Sequence, residues 1–412
     1  MIDSILVYFC PNSTELKLGR LFIDRDKGLQ SYSFEFDPGF LSSPYRSTFI
    51  DFDLTNVSGR QFLNPGKELF GFLLDALPDR WGKALINRRE RIDAKKENRR
   101  PRQMFAEDYL LAVDDESRMG CLRFKADEKG EFLSTDKKMS IPPFQSLKDL
   151  EYAARMYEND EDLFDETWLK ILISPGSSLG GARPKATVKD DNGELWIAKF
   201  PSKHDEWDVG AWEMVVTELA RLCGLNVPET KLLRLSKYGS TFLTKRFDRN
   251  GQGRIPFISA MTALGKTDGE TGRVDVSYLD IASFLLAYGG DPSDVKELWQ
   301  RIVFNIAISN GDDHLRNHGF IIKDKHWVLA PAYDLNPSVD ATHLLLAVSE
   351  DNNEMDFDLA IGVAKIYGLS KEEAVVEVER IKKTVRENLE KVAKRYGLSD
   401  MEIEYMRPAF RI

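Results

Sequence analysis

Three side chains between residues 309 and 334 have the types and spacing needed to hold a metal ion and to take up a proton. Asp312 and Asn317 lie five residues apart in one loop, and Asp334 lies in a second loop. Carboxylate and amide oxygens suit Mg²⁺, which keeps several waters and shares the phosphates of a nucleotide. The same spacing occurs in kinase catalytic loops, where the aspartate accepts a hydroxyl proton and the asparagine holds metal. Asp and Asn are also common turn formers, so the pair alone leaves both interpretations open.

The surrounding pattern predicts elements that bring these side chains together. Apolar residues at helical spacing end at Asn310-Gly311, a pair typical of a helix C-terminus. Two β-rich runs, Gly319 to Lys323 and His326 to Ala330, flank Asp324-Lys325 and predict a hairpin with a two-residue turn. The loops at its two open ends hold all three side chains, so we expect them to face one site.

A glycine-rich segment, SPGSSLGGARPKA, runs from Ser174 to Ala186. Glycines let backbone N–H groups approach an anion closely, and serine hydroxyls add donors. It is not a Walker P-loop, because Ala182 stands where that motif has its lysine. The segment indicates a phosphate cradle, with a plain flexible loop as the alternative. The candidate phosphate contacts are Gly176, Ser177, Ser178, Gly180 and Gly181.

Lys199 lies late in the second strand of a predicted hairpin, Lys185 to Lys189 and Leu195 to Phe200. Two-residue alternation places it beside apolar side chains, and a half-buried lysine needs an anion. That anion is a nucleotide phosphate or a carboxylate on the next helix. Glu213 lies at the edge of that helix's apolar stripe, and Glu218 is the competing partner. A strand lysine paired with a helix glutamate holds the α- and β-phosphates in protein kinases.

The predicted elements follow the order found in a two-lobed kinase: loop, hairpin, helix, two strands, helices, catalytic-type loop, hairpin, aspartate. This joint order favours phosphoryl transfer more strongly than any single motif does. Segments in the same order resemble the HipA-type serine/threonine kinases, the toxin components of type II toxin–antitoxin modules. The matching segments are FGFLLDALPDRWGKAL (70–85), GSSLGGARPKA (176–186), IAKFPS (197–202), KRFDR (245–249), NGDDHLRNHGF (310–320) and PAYDLNPS (331–338).

The resemblance implies an α+β fold, two-lobed and protein-kinase-like, with a HipA-type N-terminal β-rich subdomain and a mostly helical C-terminal lobe. We expect a HipA-type N-terminal region over 1–145 and the nucleotide-binding part of the N-lobe over 146–250. A helical C-lobe with the catalytic loop would occupy 251–412. The boundaries rest on the proline-rich stretch near residue 142 and the glycines near residue 252.

Carried over residue by residue, the resemblance implies ATP and Mg²⁺ as cofactors. It makes Asp312 the catalytic base, Asn317 and Asp334 the magnesium ligands, and Lys199 the phosphate-binding lysine with Glu213 as its partner. The remaining ATP-site positions are Lys185 as a second phosphate contact and Lys245 to Phe247 as the hinge strand that holds adenine. Apart from the resemblance, we expect His314 to brace the catalytic loop by hydrogen bonds.

Ser178 matches the serine that the family autophosphorylates, although the choice between Ser177 and Ser178 stays open. Phosphate there adds roughly two negative charges to a loop meant to hold ATP. We therefore expect self-inactivation, seen as weaker ATP binding by the phosphorylated protein than by the Ser178→Ala protein. The chain departs from ordinary protein kinases in two places. No HRD triplet precedes Asp312, and Leu335-Asn336 replaces the Phe-Gly that follows their metal-binding aspartate.

The partners implied by the family are a small helix-turn-helix antitoxin of the HipB type and a protein substrate, such as an aminoacyl-tRNA synthetase. A net charge of −10 argues against nucleic-acid binding over the whole surface. Arg80 to Arg102 is a local exception, with ten Lys or Arg residues against three acids. This basic segment is either a solvated helix face or a contact with operator DNA or a tRNA-bearing substrate.

Composition sets the broader limits. The three cysteines, Cys10, Cys121 and Cys223, are scattered without a CxxC pair, so neither a disulfide framework nor a zinc site is indicated. No run approaches the ~18 apolar residues of a membrane span. Met1 to Cys10 predicts an edge strand and not a signal peptide. We therefore expect a cytoplasmic protein without membrane contact.

Three alternatives stay open. His314 and His318 have the i, i+4 spacing of a metal hydrolase, but Gly311 makes a regular helix there unexpected. A catalytically inactive corepressor that only binds the antitoxin would keep the same fold. A small-molecule phosphotransferase of the aminoglycoside type would share the Asp312/Asn317 spacing.

Overall fold

The computed structural model describes residues 3–26, 29–135, 141–159, 172, 181, 183–267 and 276–412. The chain forms two compact units. The first consists of Met1–Ala198 and Arg246–Ile258, and the second of Lys199–Lys245 and Ser259–Ile412. The three-part division with boundaries near residues 145 and 250 stays a prediction.

Strands and helices are interspersed along the described residues, often in runs of the same type. The strands are β1 (Ser4–Phe9), β2 (Leu16–Asp26), β3 (Leu29–Phe36), β4 (Arg60–Phe62), β5 (Leu122–Lys125), β6 (Lys185–Lys189), β7 (Leu195–Lys199), β8 (Thr230–Leu233), β9 (Thr241–Lys245), β10 (Arg249–Asn250), β11 (Gly253–Arg254), β12 (Phe257–Ser259), β13 (Gly319–Lys323) and β14 (His326–Leu329). The helices are α1 (Pro38–Leu41), α2 (Gly71–Leu74), α3 (Arg80–Lys96), α4 (Ala106–Ala112), α5 (Leu147–Asn159), α6 (Val209–Leu222), α7 (Ala260–Ala263), α8 (Tyr278–Tyr288), α9 (Pro292–Ala307), α10 (Phe357–Val363), α11 (Lys371–Arg395) and α12 (Asp400–Met406).

The N-terminal sheet of the first unit is antiparallel, with strand order β4-β3-β2-β1-β5. β1 lies inside this sheet, because β5 pairs with its outer side from Leu6 opposite Lys125 to Phe9 opposite Leu122. The expected strand at Met1 to Cys10 is thus present, but the expectation that it is an edge strand is wrong. Its second partner, β5, lies more than a hundred residues later in the chain. The sequence around β1 therefore could not indicate this pairing.

A buried cluster of charges fastens Arg246–Ile258 to the rest of the first unit. Asp248 is fully buried and accepts hydrogen bonds from Nε and Nη2 of Arg246, at 2.8 and 2.6 Å. The backbone N–H of Gly120 donates to the same carboxylate at 2.8 Å, and Arg246 Nη1 donates to the carbonyl of Ser117 at 2.5 Å. Burial alone would raise the pKa of Asp248, but the neighbouring guanidinium groups hold it far below its usual range.

In the second unit, amphipathic helices provide most of the core. Ser370 caps α11 and the Glu373 side chain reaches back to the Ser370 backbone, which forms a capping box. One face of this helix is apolar and buried at Ile381, Val385, Leu389 and Val392. α6 begins at an Asp208 cap and is buried along most of its length. Within the described ranges, no helix is both long enough and apolar enough to span a bilayer.

Candidate active site

The loop that carries Asp312 begins where α9 ends, at Ala307. Ser309 has a φ of 49°, a left-handed conformation that turns the chain out of the helix direction. Gly311 lets the backbone of this loop pass close to Ala341, because a Cβ at position 311 would lie only 2.5 Å from the Cβ of Ala341. A 3₁₀ turn, Leu315–Asn317, then leads into β13.

The predicted hairpin after this loop is confirmed. β13 pairs with β14 from Phe320 opposite Leu329 to Lys323 opposite His326. Asp324 and Lys325 form the two-residue turn with φ values of 50° and 70°. Two positive φ values in the central positions are those of a type I′ turn, whose twist matches that of the flanking strands.

The side chain of Asn317 has a fixed orientation. Its Nδ2 donates to the backbone carbonyl of Asp312 at 3.0 Å, and its backbone N–H donates to the carbonyl of His314 at 2.8 Å. Because the amide nitrogen is the donor, Oδ1 is left as the acceptor end of this buried group. Asn317 therefore closes the loop around Asp312 and presents an oxygen at the same time.

Asp334 adopts an uncommon backbone conformation, with φ at 59°. Aspartate tolerates the left-handed conformation better than most other residues do. Residues in such conformations nevertheless cluster at functional sites. Its Oδ1 receives the ammonium of Lys199 at 2.5 Å and the Asn336 amide nitrogen at 3.4 Å. The Oδ1 of Asn336 is buried and has no hydrogen-bond partner.

Lys199 contacts two carboxylates within the second unit. Its ammonium lies 2.6 Å from Oε1 of Glu213 on α6 and 2.5 Å from Asp334, with 12% of the side chain exposed. Burial lowers the lysine pKa, but the two carboxylates outweigh this effect and leave it above its usual value. The predicted pairing with Glu213 is thus present, whereas the link to Asp334 was not predicted. Glu218 pairs with Arg221 and Arg395 instead.

Asp313 stabilises the loop that carries Asp312. The sequence analysis did not predict this role. This buried carboxylate accepts hydrogen bonds at Oδ2 from Tyr278 Oη at 2.5 Å and Asn305 Nδ2 at 2.7 Å. Nε2 of His318 lies 2.8 Å from the same oxygen. Burial raises the pKa of Asp313, but His318 and the donated hydrogen bonds bring it below its usual value. Hydrogen bonds therefore link α8, α9 and the residue that directly precedes β13 to the residue next to Asp312.

The histidines do not form a hydrolase-type metal site in the described part of the chain. His314 precedes a 3₁₀ turn and His318 follows it, so their i, i+4 spacing is not on an α-helix. Nδ1 of each is buried without a hydrogen-bond partner. No group of three or more His, Cys, Asp or Glu residues within the described ranges is placed to hold a metal ion.

Other predicted ATP-site residues divide between the two units. In the first unit, Lys185 forms a buried ion pair with Asp79 at 2.8 Å, and the Phe247 ring packs on Phe257 with centroids 6.0 Å apart. In the second unit, the ammonium of Lys245 lies 3.8 Å from Glu229. Their proposed ATP contacts stay predictions. Gly181 has a φ of 97°, while Gly176, Ser177, Ser178 and Gly180 lie outside the described residues.

The oxygens of Asn317 and Asp334 fit Mg²⁺ chemically. Mg²⁺ usually takes one or two protein carboxylates and completes its shell with waters and substrate phosphates, so a larger protein cluster is not required. The Oδ1 of Asp334 also lies 2.5 Å from the ammonium of Lys199, and the metal-binding roles of Asn317 and Asp334 stay predictions.

Comparison with solved structures defines the class of fold. HipA of Shewanella oneidensis, solved in a complex with HipB and operator DNA, matches this chain with a TM-score of 0.67 and 16% identity. The match covers 98% of this chain and 94% of that chain. The predicted α+β, protein-kinase-like fold is therefore confirmed. A family model described as the HipA-like C-terminal domain matches residues 177–395, more than half of the chain. The chain belongs to this HipA-like family.

Curated relatives are similar over shorter stretches. Y4dM of Sinorhizobium fredii is 28% identical over 196 residues, which are 45% of this chain and 45% of the relative. The toxin YjjJ of Escherichia coli is 24% identical over 45% of this chain and 44% of its own length. The serine/threonine-protein kinase CtkA of Helicobacter pylori is 30% identical over 39% and 52%. The chain thus spans about half the length of these relatives.

We predict that Asp313→Ala lowers the free energy of unfolding by about 3 kcal/mol or more, because each buried group left without its partner costs about 1–3 kcal/mol. Since the pKa of Asp313 in the folded state lies below the usual value of an aspartate, its carboxylate stabilises the protein at pH values above that usual value. The difference between wild type and variant should therefore shrink as the pH falls further. Urea unfolding at several pH values measures it.

Asp340→Ala is the matched control, because Asp340 is exposed in the same unit. A substitution of this kind is expected to change stability by less than about 0.5 kcal/mol. Equal effects of the two substitutions at neutral pH would contradict the structural role assigned to Asp313.

Proposed function

We propose that the chain is an ATP- and Mg²⁺-dependent serine/threonine protein kinase that acts as a HipA-like toxin. The observation that carries this proposal is the position of Lys199 between Glu213 and Asp334. The same unit holds Asp312 and Asn317 in one closed loop. In protein kinases the lysine–glutamate pair and the metal-binding aspartate must both be in place for phosphoryl transfer.

The proposed reaction moves the γ-phosphoryl group of ATP to a serine or threonine hydroxyl. Asp312 orients the hydroxyl and accepts its proton while the hydroxyl oxygen bonds to the γ-phosphorus. The bond from that phosphorus to the β–γ bridging oxygen breaks, and its electron pair leaves with ADP. Lys199 stays protonated beside its carboxylates and stabilises the negative phosphate oxygens. Catalysis on this account is positioning and electrostatic stabilisation.

Asn317 and Asp334 are the residues that would hold Mg²⁺. When bound, the ion neutralises charge on the phosphate oxygens. The amide of Asn317 is oriented by its hydrogen bond to Asp312, so proton acceptor and proposed metal ligand are fixed in one loop. Loss of that hydrogen bond would loosen both functions together.

Substrate and regulation follow from the family resemblance. We infer autophosphorylation at Ser178 and a translation protein, such as an aminoacyl-tRNA synthetase, as the external substrate. YjjJ is named a toxin and CtkA a serine/threonine-protein kinase, which supports both parts of the proposal at modest identity. Two alternatives are an inactive corepressor and a small-molecule phosphotransferase. The following experiment distinguishes both from a protein kinase.

We predict that wild-type protein transfers labelled γ-phosphate from ATP to protein, with label at Ser178. Asp312→Asn should reduce the rate by about 10²–10⁴-fold, the usual contribution of general acid–base catalysis, because the amide cannot accept the proton. Binding of ATP should be retained, since Asp312 is assigned to the hydroxyl and not to the nucleotide. Phosphate incorporation and peptide mapping measure both effects.

Asp324→Asn is the matched control for this substitution. Asp324 is exposed in the hairpin turn with a φ of 50°, a conformation that asparagine also tolerates. It should keep the wild-type rate. Transfer to protein at the wild-type rate by Asp312→Asn would contradict the proposal, and absence of label in initially unphosphorylated wild type would favour the corepressor.

The partner proposal concerns the basic segment, Arg80 to Arg102. The solved HipA is described with HipB and its operator DNA, and we propose a helix-turn-helix antitoxin of the HipB type for this chain. Ion pairs join Arg89 to Asp93 and Arg99 to Glu90. Exposed cations on and after the C-terminal half of α3 are the candidate phosphate contacts: Arg91, Lys95, Lys96 and Arg100.

Replacing these four cations with alanine should weaken operator binding by the complex with its antitoxin and flatten its salt dependence. Each lost phosphate contact reduces the slope of log K against log salt by about 0.9. A fourfold alanine variant of exposed cations on α11 is the control: Lys383, Arg386, Lys391 and Lys394. An unchanged slope in the α3 variant would show that the basic segment does not contact DNA.

A further inference from the structure

The residues that follow α12 contact two parts of the proposed active site in the second unit. These parts are the helix that carries Glu213 and the turn that precedes Asp312. A 3₁₀ turn at Arg407–Ala409 leads into Phe410, which is buried, and Arg411, which is exposed. The ring of Phe410, which is 7% exposed, packs on that of Trp212 with centroids 6.0 Å apart. Trp212 lies in α6 and directly precedes Glu213, the partner of Lys199.

Arg411 reaches the turn that precedes Asp312. Its backbone N–H donates to the carbonyl of Ala307, the last residue of α9, at 2.9 Å. Its Nε donates to Oγ of Ser309 at 3.0 Å, and its Nη2 to the carbonyl of Ala341 at 3.5 Å. Ser309 is buried in a left-handed conformation, and Ala341 is the residue against which Gly311 packs.

We propose that Phe410 and Arg411 are positioning residues that couple the helix of Glu213 to the turn of Asp312. The effect on catalysis depends on the proposed function being correct. The contacts of Phe410 and Arg411 do not depend on it. A turn with a left-handed residue and a close backbone approach needs external contacts to hold it. Arg411 supplies one such contact with its side chain, to Ser309, and one with its backbone N–H, to Ala307. Phe410 holds the segment against α6.

Arg411→Ala should lower kcat about threefold to tenfold, because a hydrogen bond of this kind contributes roughly that factor. KM for ATP should change little, since the turn positions Asp312 and not the nucleotide. Ser309→Ala should give a similar loss, and the double variant should be no slower than either single variant. This non-additivity identifies the Arg411–Ser309 contact as the cause.

Arg407→Ala is the matched control, since Arg407 lies in the same segment but pairs with Glu404 and Glu390 on the surface. Its kcat should equal that of wild type. Because Arg411 is exposed, its replacement should leave the protein folded, which thermal unfolding checks. Phe410→Leu should increase amide exchange in α6 without unfolding the unit.

Amide hydrogen exchange of residues 307–317 separates this proposal from the proposed function. We expect faster exchange there in Arg411→Ala than in Arg407→Ala, whether or not the wild type proves to be a kinase. If wild type lacks kinase activity but exchange increases, the proposed function fails and the positioning contact stands. Wild-type exchange in Arg411→Ala, or strictly additive losses of kcat in an active enzyme, would overturn the proposal.

Discussion

The ammonium of Lys199 is buried between two carboxylates, and this arrangement constrains much of the second unit. A buried charge is tolerated only when opposite charges and hydrogen bonds compensate its lost hydration. Glu213 therefore has to lie on the buried face of α6, and Asp334 has to follow β14 at a fixed place, within 2.5 Å of the ammonium. The left-handed backbone at Asp334 is part of how the chain meets this requirement.

A second polar cluster supports the loop that carries Asp312. Asp313 accepts hydrogen bonds from Tyr278 on α8 and from Asn305 on α9, and His318, which directly precedes β13, contacts the same oxygen. The loop is therefore held both by its neighbours in sequence and by the more distant α8. The chain has no HRD triplet, and hydrogen bonds to Asp313 and from Asn317 hold its loop. The position of Asp312 thus depends on buried polar contacts, which lose their value if any one partner is missing.

Sequence reasoning reached those features whose signals are local. The β13–β14 hairpin followed from a two-residue turn between β-rich runs, and the Lys199–Glu213 pair followed from strand alternation and helix spacing. The link from Lys199 to Asp334 spans 135 residues and has no local signal. The same holds for the contact of Tyr278 with Asp313, which spans 35 residues, and for β5, which turns the expected edge strand into an interior one. Pairing over such distances is determined by tertiary packing, which periodicity does not encode.

The most direct test of this account is calorimetric titration of wild type and Asp334→Asn with a non-hydrolysable ATP analogue, with and without Mg²⁺. If Asp334 is a magnesium ligand beside Lys199, Mg²⁺ should tighten binding to wild type by about tenfold or more, equivalent to at least about 1.4 kcal/mol. Asp334→Asn should lose this gain while keeping the affinity measured without the ion. Equal affinity of the wild type with and without Mg²⁺, or an unchanged gain in Asp334→Asn, would contradict the assignment.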